Sequence, residues 1–320
     1  MKVILSVISL CFYCSFLAAA DPKASPPEEK VNNEKLALDY IALGYNEYTK
    51  GNHAKAFEWY TKAAEQGQAE AQYTVGAMYS EGTGVLQDYK QAVMWYTKAA
   101  EQGQAEAQYN LGVMYKDGTG VLQDYKQAVM WYTKAAEQGI AEAQTNLGVM
   151  YSTGKGVPQD YKQALMWLTK AAEQGYASAQ YNLGAMYSEG AGVLQDYKQA
   201  VMWYTKAAEQ GDALAQYNLG VMYDSGKGIL QDSNQAFKWY AKAAEQGHAS
   251  AQYNLASLYF GGLGVPKDFA LAYAWANIAA VNGASSKKRD AIASLHPEQV
   301  AEGQKLSREM VKANPKLLGK

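Results

Sequence analysis

Residues 104–139 read QAEAQYNLGVMYKDGTGVLQDYKQAVMWYTKAAEQG, and close variants of this stretch occupy most of the 320-residue chain. All seven tryptophans, from Trp59 to Trp275, recur at intervals of 36 residues, and a series of glycines from Gly67 to Gly283 keeps the same interval. A fixed period in this range is typical of solenoids and other repeat arrays. The sequence therefore predicts a chain built from stacked copies of one unit.

Each copy predicts two helices joined by a glycine-rich turn. In the quoted copy, helix A is predicted from Ala105 to Lys116, because small and apolar residues recur on one face at helical spacing. Gly118-Thr119-Gly120 ends this helix, since glycine tolerates the left-handed backbone found at helix ends. Helix B is predicted to begin at Asp124 and to end at Gly139.

Asp124 is the predicted N-cap of helix B, because its carboxylate can accept hydrogen bonds from free N–H groups of the first turn. Gln127 follows three residues later and predicts a capping box, in which its side chain accepts a hydrogen bond from the Asp124 N–H. Four other copies keep this pair, whereas Asp268 is followed by Leu271. The last copy is therefore expected to lack the reciprocal bond.

Neither helix can bury its apolar face alone. Helix A presents Ala107, Leu111 and Gly112 on one face, and helix B presents Ala128 and Trp131. Small residues opposite large rings let two helices approach closely, so the copies must stack on one another. The sequence thus predicts an all-α fold of helix-turn-helix repeats with the tryptophans in the core.

Four runs recur between Leu36 and Gly283: A-x-A-Q-Y-N-L-G-x-M-Y, G-x-G-V, D-Y-x-x-A and W-Y-x-K-A-A-E-Q-G. Through these runs the chain resembles the Sel-one-like repeat family, a branch of the tetratricopeptide-like helical repeats. The resemblance implies a right-handed α/α solenoid with the A helices along its concave surface. The first repeat departs from the pattern, because residues 49–53 replace the G-x-G-V turn.

The pattern divides the chain into four segments. A basic start, an apolar run and three alanines predict a signal peptide over residues 1–20, with an uncleaved membrane anchor as the alternative. Residues 21–35 contain three prolines and several charges, which predicts a flexible linker. Residues 36–283 hold seven helical-pair repeats. Residues 284–320 predict a helical cap, with helices over 286–295 and 297–313.

Composition excludes several classes of function. Lys+Arg 29 against Asp+Glu 31 leaves no basic excess for a nucleic-acid backbone. Cys11 and Cys14 both lie in the predicted signal peptide, so the mature chain has no thiol for disulfides, catalysis or metal binding. His53, His248 and His296 fall in the first repeat, the last repeat and the cap. The sequence therefore predicts no metal centre and no cofactor.

Patterns that suggest chemistry have simpler explanations. The G-x-G turns join helix to helix and lack the strand and third glycine of a nucleotide-binding loop. The repeated glutamates from Glu101 to Glu209 are predicted to face solvent instead of converging in one pocket.

Some members of the family that the chain resembles are described as penicillin-binding or β-lactamase-like. Ser285 to Lys288 form an S-x-x-K, but the partner motifs S-D-N and K-T-G are absent. A cell-wall-related or β-lactam-binding or β-lactam-hydrolysing enzyme is thus the alternative to the predicted function.

The copies differ mainly along one stripe of helix A, which in the quoted copy contains Glu106, Tyr109, Val113 and Lys116. Steps of three, four and three place these residues on one face. The family resemblance puts the stripe in the concave groove, where an extended peptide or protein partner is predicted to bind. The alternative is variation at exposed positions that touch nothing.

Asparagine follows the variable tyrosine position in most copies. An amide side chain offers a donor and an acceptor, so a row of asparagines can hold successive peptide groups of an extended ligand. The alternative is that each asparagine bonds within its own repeat to hold helix A against helix B. The predicted partner-binding residues are Tyr109, Asn110, Asn146, Tyr181, Asn182, Tyr217, Asn218, Tyr253 and Asn254.

These observations predict an exported, non-enzymatic scaffold, either periplasmic or secreted, that binds a protein or peptide partner. Neither nucleic-acid binding nor membrane insertion after signal cleavage is predicted. A purely structural spacer is a second alternative.

Overall fold

The computed structural model describes residues 28–319 of the chain. Within this range the chain forms sixteen α-helices, two short 3₁₀ turns and no strand. The predicted all-α fold is confirmed for these residues. The predicted signal peptide over residues 1–20 and the first part of the predicted linker lie outside the described residues.

Helices of type A and type B alternate along the chain. The A helices are α1 (Glu28–Thr49), α3 (Ala69–Glu81), α5 (Ala105–Asp117), α7 (Ala141–Thr153), α9 (Ala177–Glu189), α11 (Ala213–Ser225) and α13 (Ala249–Gly261). The B helices are α2 (His53–Glu65), α4 (Tyr89–Glu101), α6 (Tyr125–Glu137), α8 (Tyr161–Glu173), α10 (Tyr197–Glu209), α12 (Ser233–Glu245) and α14 (Phe269–Val281). The chain continues through α15 (Lys287–Leu295), a 3₁₀ turn (Pro297–Gln299), α16 (Val300–Ala313) and a second 3₁₀ turn (Pro315–Leu318).

The described residues form two compact units, one ending at Gln104 and the other starting at Ala105. In the first unit, α1 to α4 pack in chain order, each helix on the next. In the second unit, α5 to α14 do the same, and α15 and α16 pack on α14. Within each unit the predicted stacking of helix pairs is confirmed.

Helix α1 includes residues 28–35, for which the composition predicts part of a flexible linker. The difference has a local cause. Residues 28–35 contain no proline and are rich in glutamate and lysine, which form helices well. The helix therefore begins before the predicted start of the first repeat.

The N-cap prediction for helix B is confirmed in one half and wrong in the other. The Asp124 carboxylate accepts hydrogen bonds from the N–H groups of Lys126 and Gln127 at 2.8 and 3.1 Å. The Asp124 N–H, however, donates to the carbonyl of Tyr115 on α5 at 2.9 Å, and Gln127 does not complete a capping box with it. The Tyr115 carbonyl lies in the last turn of helix A, where carbonyls have no partner within the helix. It accepts this bond instead of the Gln127 side chain.

Two glycines in each turn serve different purposes. Gly154 ends α7 with a left-handed backbone, φ +70°, as a helix C-terminus requires. Gly156 also has a positive φ, and a Cβ there would lie 2.3 Å from the carbonyl oxygen of Tyr125 on α6. The second glycine is therefore needed so that the turn can pack against the first turn of the preceding B helix.

Five of the seven tryptophans are buried in the core, as predicted, and Trp59 and Trp239 are partly buried. Trp167 packs against a buried cluster formed by α6 and α7 that includes Tyr132 and Leu147. Trp203 packs in the same way on the cluster of α8 and α9. Each of these clusters joins the B helix of the preceding repeat to the A helix of the tryptophan's own repeat, so both rings stabilise the contact between repeats.

The last residues close the end of the array, and the predicted cap helices are present as α15 and α16. The carbonyl of Leu317, in the second 3₁₀ turn, accepts hydrogen bonds from the side chains of Gln252 and Asn282 at 2.8 and 2.6 Å. These hydrogen bonds hold the end of the chain against the last repeat. Among residues 28–319, no helix has both the length and the apolar character needed to cross a membrane.

Candidate functional site

The nine predicted partner-binding residues all lie on A helices and are partly buried. Each of the four tyrosines therefore offers only part of its surface to a ligand. Tyr109 packs beside Tyr132 of α6, with ring centroids 6.0 Å apart, and Tyr181 packs beside Tyr204 of α10 at the same distance. Burial raises the pKa of Tyr109, and its neighbours Tyr176 and Glu142 raise it further. Burial also raises the pKa of Tyr181, so the phenols of Tyr109 and Tyr181 remain protonated donors at neutral pH.

The asparagines lie between repeats. Asn146 lies beside the hydroxyls of Tyr109 and Tyr132, which belong to the preceding repeat. In the same way, Asn218 lies beside the hydroxyl of Tyr181, and Asn254 beside that of Tyr240. The sequence-based alternative placed each bond within its own repeat. The structure instead gives these asparagines neighbours in the repeat before.

Asn182 is the exception, and the preceding repeat explains why. There Thr145 and Leu168 occupy the positions of the two tyrosines. With no phenol beside it, the Asn182 amide donates to the carbonyl of Ser178 in its own helix at 2.7 Å. Thr145 is buried and donates to the Ala141 carbonyl at 2.8 Å. One repeat therefore lacks the polar contact that its neighbours make.

A row of buried glutamines, which sequence reasoning missed, connects the repeats. Gln180 is 4% exposed, donates to the Ala172 carbonyl at 3.1 Å, and accepts from the side chain of Gln210 at 2.8 Å. Gln210 also donates to the Gly175 carbonyl at 2.9 Å. Both carbonyls belong to the preceding repeat, so the glutamine pair satisfies the C-terminal end of its last helix.

We call the equivalent pairs the glutamine ladder. Its members are Gln72 with Gln102, Gln108 with Gln138, Gln144 with Gln174, Gln180 with Gln210, and Gln216 with Gln246. The recurring A-Q and E-Q-G runs were the available signal in the sequence. They gave no indication that two residues 30 positions apart would meet.

The B helices present a different surface. Lys170 lies over the ring of Trp167, with its Nζ 4.4 Å from the ring centroid, and Lys134, Lys206 and Lys242 lie in the same way over the tryptophans of their own helices. Leu122 and Leu194, in the turns that lead to B helices, are 91% and 92% exposed. These leucines add nothing to the core and leave an apolar side chain in solvent.

The residues considered for chemistry do not form a reactive site. Ser285 is exposed and its hydroxyl accepts from the Lys287 N–H, whereas the Lys288 ammonium bonds to Ser257 on α13. The S-x-x-K residues therefore do not contact each other. His248 is the N-cap of α13 and accepts from the Ala251 N–H at 3.1 Å. Over residues 28–319, no three His, Asp or Glu side chains are grouped in a way that could hold a metal ion.

Comparison with known proteins identifies the repeat. A family model described as the Sel1 repeat matches residues 35–68, 69–104, 105–140, 141–176, 177–212, 213–248 and 249–283. A crystal structure of a Sel1 repeat protein from Oxalobacter formigenes is 37% identical, with a TM-score of 0.69, and covers 75% of this chain and 96% of that one.

Two further relatives share shorter or looser similarity. A protective antigen present in uropathogenic Escherichia coli strains, which displays an SLR fold, is 32% identical over 89% of this chain and 78% of its own, with a TM-score of 0.43. The DAP3-binding cell death enhancer 1 of Rattus norvegicus is 35% identical over 78 residues, or 22% of this chain. The match spans only 15% of that relative's length.

Proposed function

Because the chain belongs to the Sel1 repeat family, we propose that it works as a scaffold that holds an extended segment of a protein partner along its A helices. Sel1 repeat proteins mediate protein interactions and are generally non-catalytic. The name of the rat relative records one protein partner, DAP3, for a protein that shares these repeats.

One observation carries the proposal. The stripe positions that vary from repeat to repeat keep partial or full exposure, with the single exception of Thr145. The positions that stay nearly constant, such as Ala179, Gln180 and Leu183 of α9, are buried. Repeat proteins that bind extended partners have a constant interior and a variable, accessible surface. The side chains of that surface contact the partner and determine which partner binds.

The predicted tyrosines and asparagines lie along this stripe. Their outer edges remain available to a ligand, while their inner edges pack against neighbouring residues. We propose that the rigid Tyr181, Tyr217 and Tyr253 rings supply apolar contact at low entropic cost, and that Asn182 supplies a peptide-binding amide. Asn182 is the best placed of the asparagines for this, because it has no tyrosine hydroxyl beside it.

We also propose that the protein is exported, either to a periplasm or to the medium. The support is the basic Lys2 and the apolar stretch from Val3 to Leu17, which is followed by three alanines. The mass of the protein recovered from the periplasm or from the medium tests this proposal. A mass that corresponds to a chain beginning at Asp21 is expected, and an intact N-terminus would contradict cleavage.

Site-specific photocrosslinking tests the scaffold function. A photoreactive phenylalanine would replace Ala185 or Val221, which occupy equivalent stripe positions in neighbouring repeats, and Met202 on a B helix as the control. We expect the two stripe positions to crosslink, in the native compartment, to nearby residues of one partner segment. Crosslinks from Met202 to the same segment, or none from the stripe, would contradict the proposal.

A further inference from the structure

A cleft of about 340 Å³ lies between the C-terminal end of α5 and the C-terminal half of α7. Lys116 and Asp117 line it on α5, Asn146 and Val149 line it on α7, and Lys155 lines it from the following turn. Its lining is thus mainly polar, with apolar side chains on the α7 side. All of these residues belong to the unit that starts at Ala105.

The cleft has an excess of positive charge. Lys116 and Lys155 contribute two ammonium groups, and Asp117 contributes one carboxylate whose oxygen is 3.4 Å from the Lys116 Nζ. The local balance is therefore positive on a chain whose net charge is −2. Such a site attracts a group with a single negative charge more than a neutral or cationic one.

A buried hydroxyl behind the cleft lacks a partner. Tyr132 is 0% exposed, and its hydroxyl makes no hydrogen bond within the described residues. The equivalent Tyr204 has the hydroxyl of Ser188 beside it, and the Tyr240 hydroxyl donates to Asp224 at 3.5 Å. Lys116 occupies the position that Ser188 and Asp224 occupy in the other two repeats. Of these three repeats, only this one has an ammonium group at that position, where the others have an oxygen atom.

The Asn146 side chain lines the cleft and lies beside the Tyr132 hydroxyl, although their geometry falls short of a hydrogen bond. A side-chain amide carries two N–H donors, so Asn146 can add a donor to the two ammonium groups of the cleft.

We propose that this cleft binds a carboxylate of the protein partner between Lys116 and Lys155, with Asn146 as an additional donor. The inference rests on the proposed scaffold function and names one anchor of the bound segment. A bound carboxylate competes with Asp117 for Lys116. A phosphate dianion fits less well, because the two lysines and Asp117 together carry only one net positive charge.

Short peptides of defined charge test the site on the whole protein. The probes are acetyl-Gly-Glu-Gly-amide, its glutamine counterpart, and acetyl-Gly-Gly-Gly with a free terminal carboxylate. The readout is the NMR resonance of the Asn146 side-chain NH₂ during titration. A saturable shift with either carboxylate peptide supports the proposal, and the pair shows whether the side chain or the chain end is preferred. An equal shift with the glutamine peptide, or no shift with any probe, overturns it.

Two variants make the test specific. Lys116→Ser introduces the residue found at Ser188, so we expect binding to weaken at least tenfold and the melting temperature to rise as Tyr132 gains a partner. Lys227→Ala is the matched control, because Lys227 is the equivalent turn lysine over Tyr197, at 5.4 Å, in another repeat. Unchanged binding in Lys116→Ser overturns the proposal.

The two proposals fail in different ways. If the stripe crosslinks a partner but Lys116→Ser binds the carboxylate peptides and that partner as before, the carboxylate site is wrong and the scaffold function stands. If the peptides bind at Asn146 but the stripe captures no partner segment, the scaffold function is wrong.

Discussion

Gly112 lies directly against the ring of Tyr132, so closely that a Cβ on the glycine would be 2.5 Å from the ring atoms Cδ1 and Cε1. The helix pair can approach only because this position has no side chain. In the last repeat, Ala256 replaces the glycine and Ala276 replaces the tyrosine. The two positions have changed together: the residue on helix A is larger and the one on helix B is smaller.

Gly184→Ala should destabilise the protein by about 1–3 kcal/mol, because the new methyl group overpacks the Tyr204 ring. The same change in a Tyr204→Ala background should be neutral or stabilising, since alanine favours a helix over glycine by about 1 kcal/mol. Urea unfolding midpoints of the four proteins give the comparison. An equal cost in both backgrounds would show that the two residues do not share this space.

Asn218→Ala should lower stability by about 1 kcal/mol, because it removes the amide beside the Tyr181 hydroxyl. Asn182→Ala should leave the melting temperature within about two degrees, since the bond lost is one to a carbonyl of its own helix. Thermal unfolding of the two variants, side by side, checks this. A larger drop in melting temperature for Asn182→Ala than for Asn218→Ala would contradict the different hydrogen bonding of these two asparagines.

Gln180→Leu should cost about 1–3 kcal/mol, because it leaves the Ala172 carbonyl and the Gln210 amide without their buried partner. The damage should appear as faster hydrogen exchange in residues 141–212, since contacts in a repeat array are local. Gln195→Leu is the control, because Gln195 is exposed and donates to the Ser188 carbonyl outside the ladder. Exchange that rises evenly over all repeats would refute the local role.

Stability should fall in alkaline solution as buried tyrosines ionise. Burial raises the pKa of Tyr60 from 10.0 to about 12, so the folded chain holds this proton more tightly than the unfolded chain. The resulting stabilisation is complete below pH 10 and is lost as the pH rises from 10 to about 12. Tyr60→Phe should reduce this loss, measured as the urea midpoint against pH. If the urea midpoint of Tyr60→Phe falls with pH as steeply as that of the parent protein, ionisation of Tyr60 does not cause the loss of stability.

The sequence by itself determined the repeat, its period and its local features. The bounds of α5 and α6, the carboxylate half of the Asp124 cap and the glycine at each helix end were all predictable, because they depend on residues within a few positions of one another. The cap helices α15 and α16 were predictable for the same reason.

Only the tertiary structure decided which side chains meet across repeats. Gln180 and Gln210 are 30 residues apart, and Asn146 faces two tyrosines of the preceding repeat. The Asp124 N–H found the carbonyl of Tyr115 in place of Gln127. Buried polar groups form hydrogen bonds with whichever groups the stacking of repeats brings within reach. Helical periodicity predicts the face of the helix on which a residue lies, but it does not predict which residue of another helix it meets. The Tyr132 hydroxyl has no hydrogen bond for the same reason: packing brings no acceptor to it, and Lys116 occupies the position that Ser188 and Asp224 occupy in other repeats.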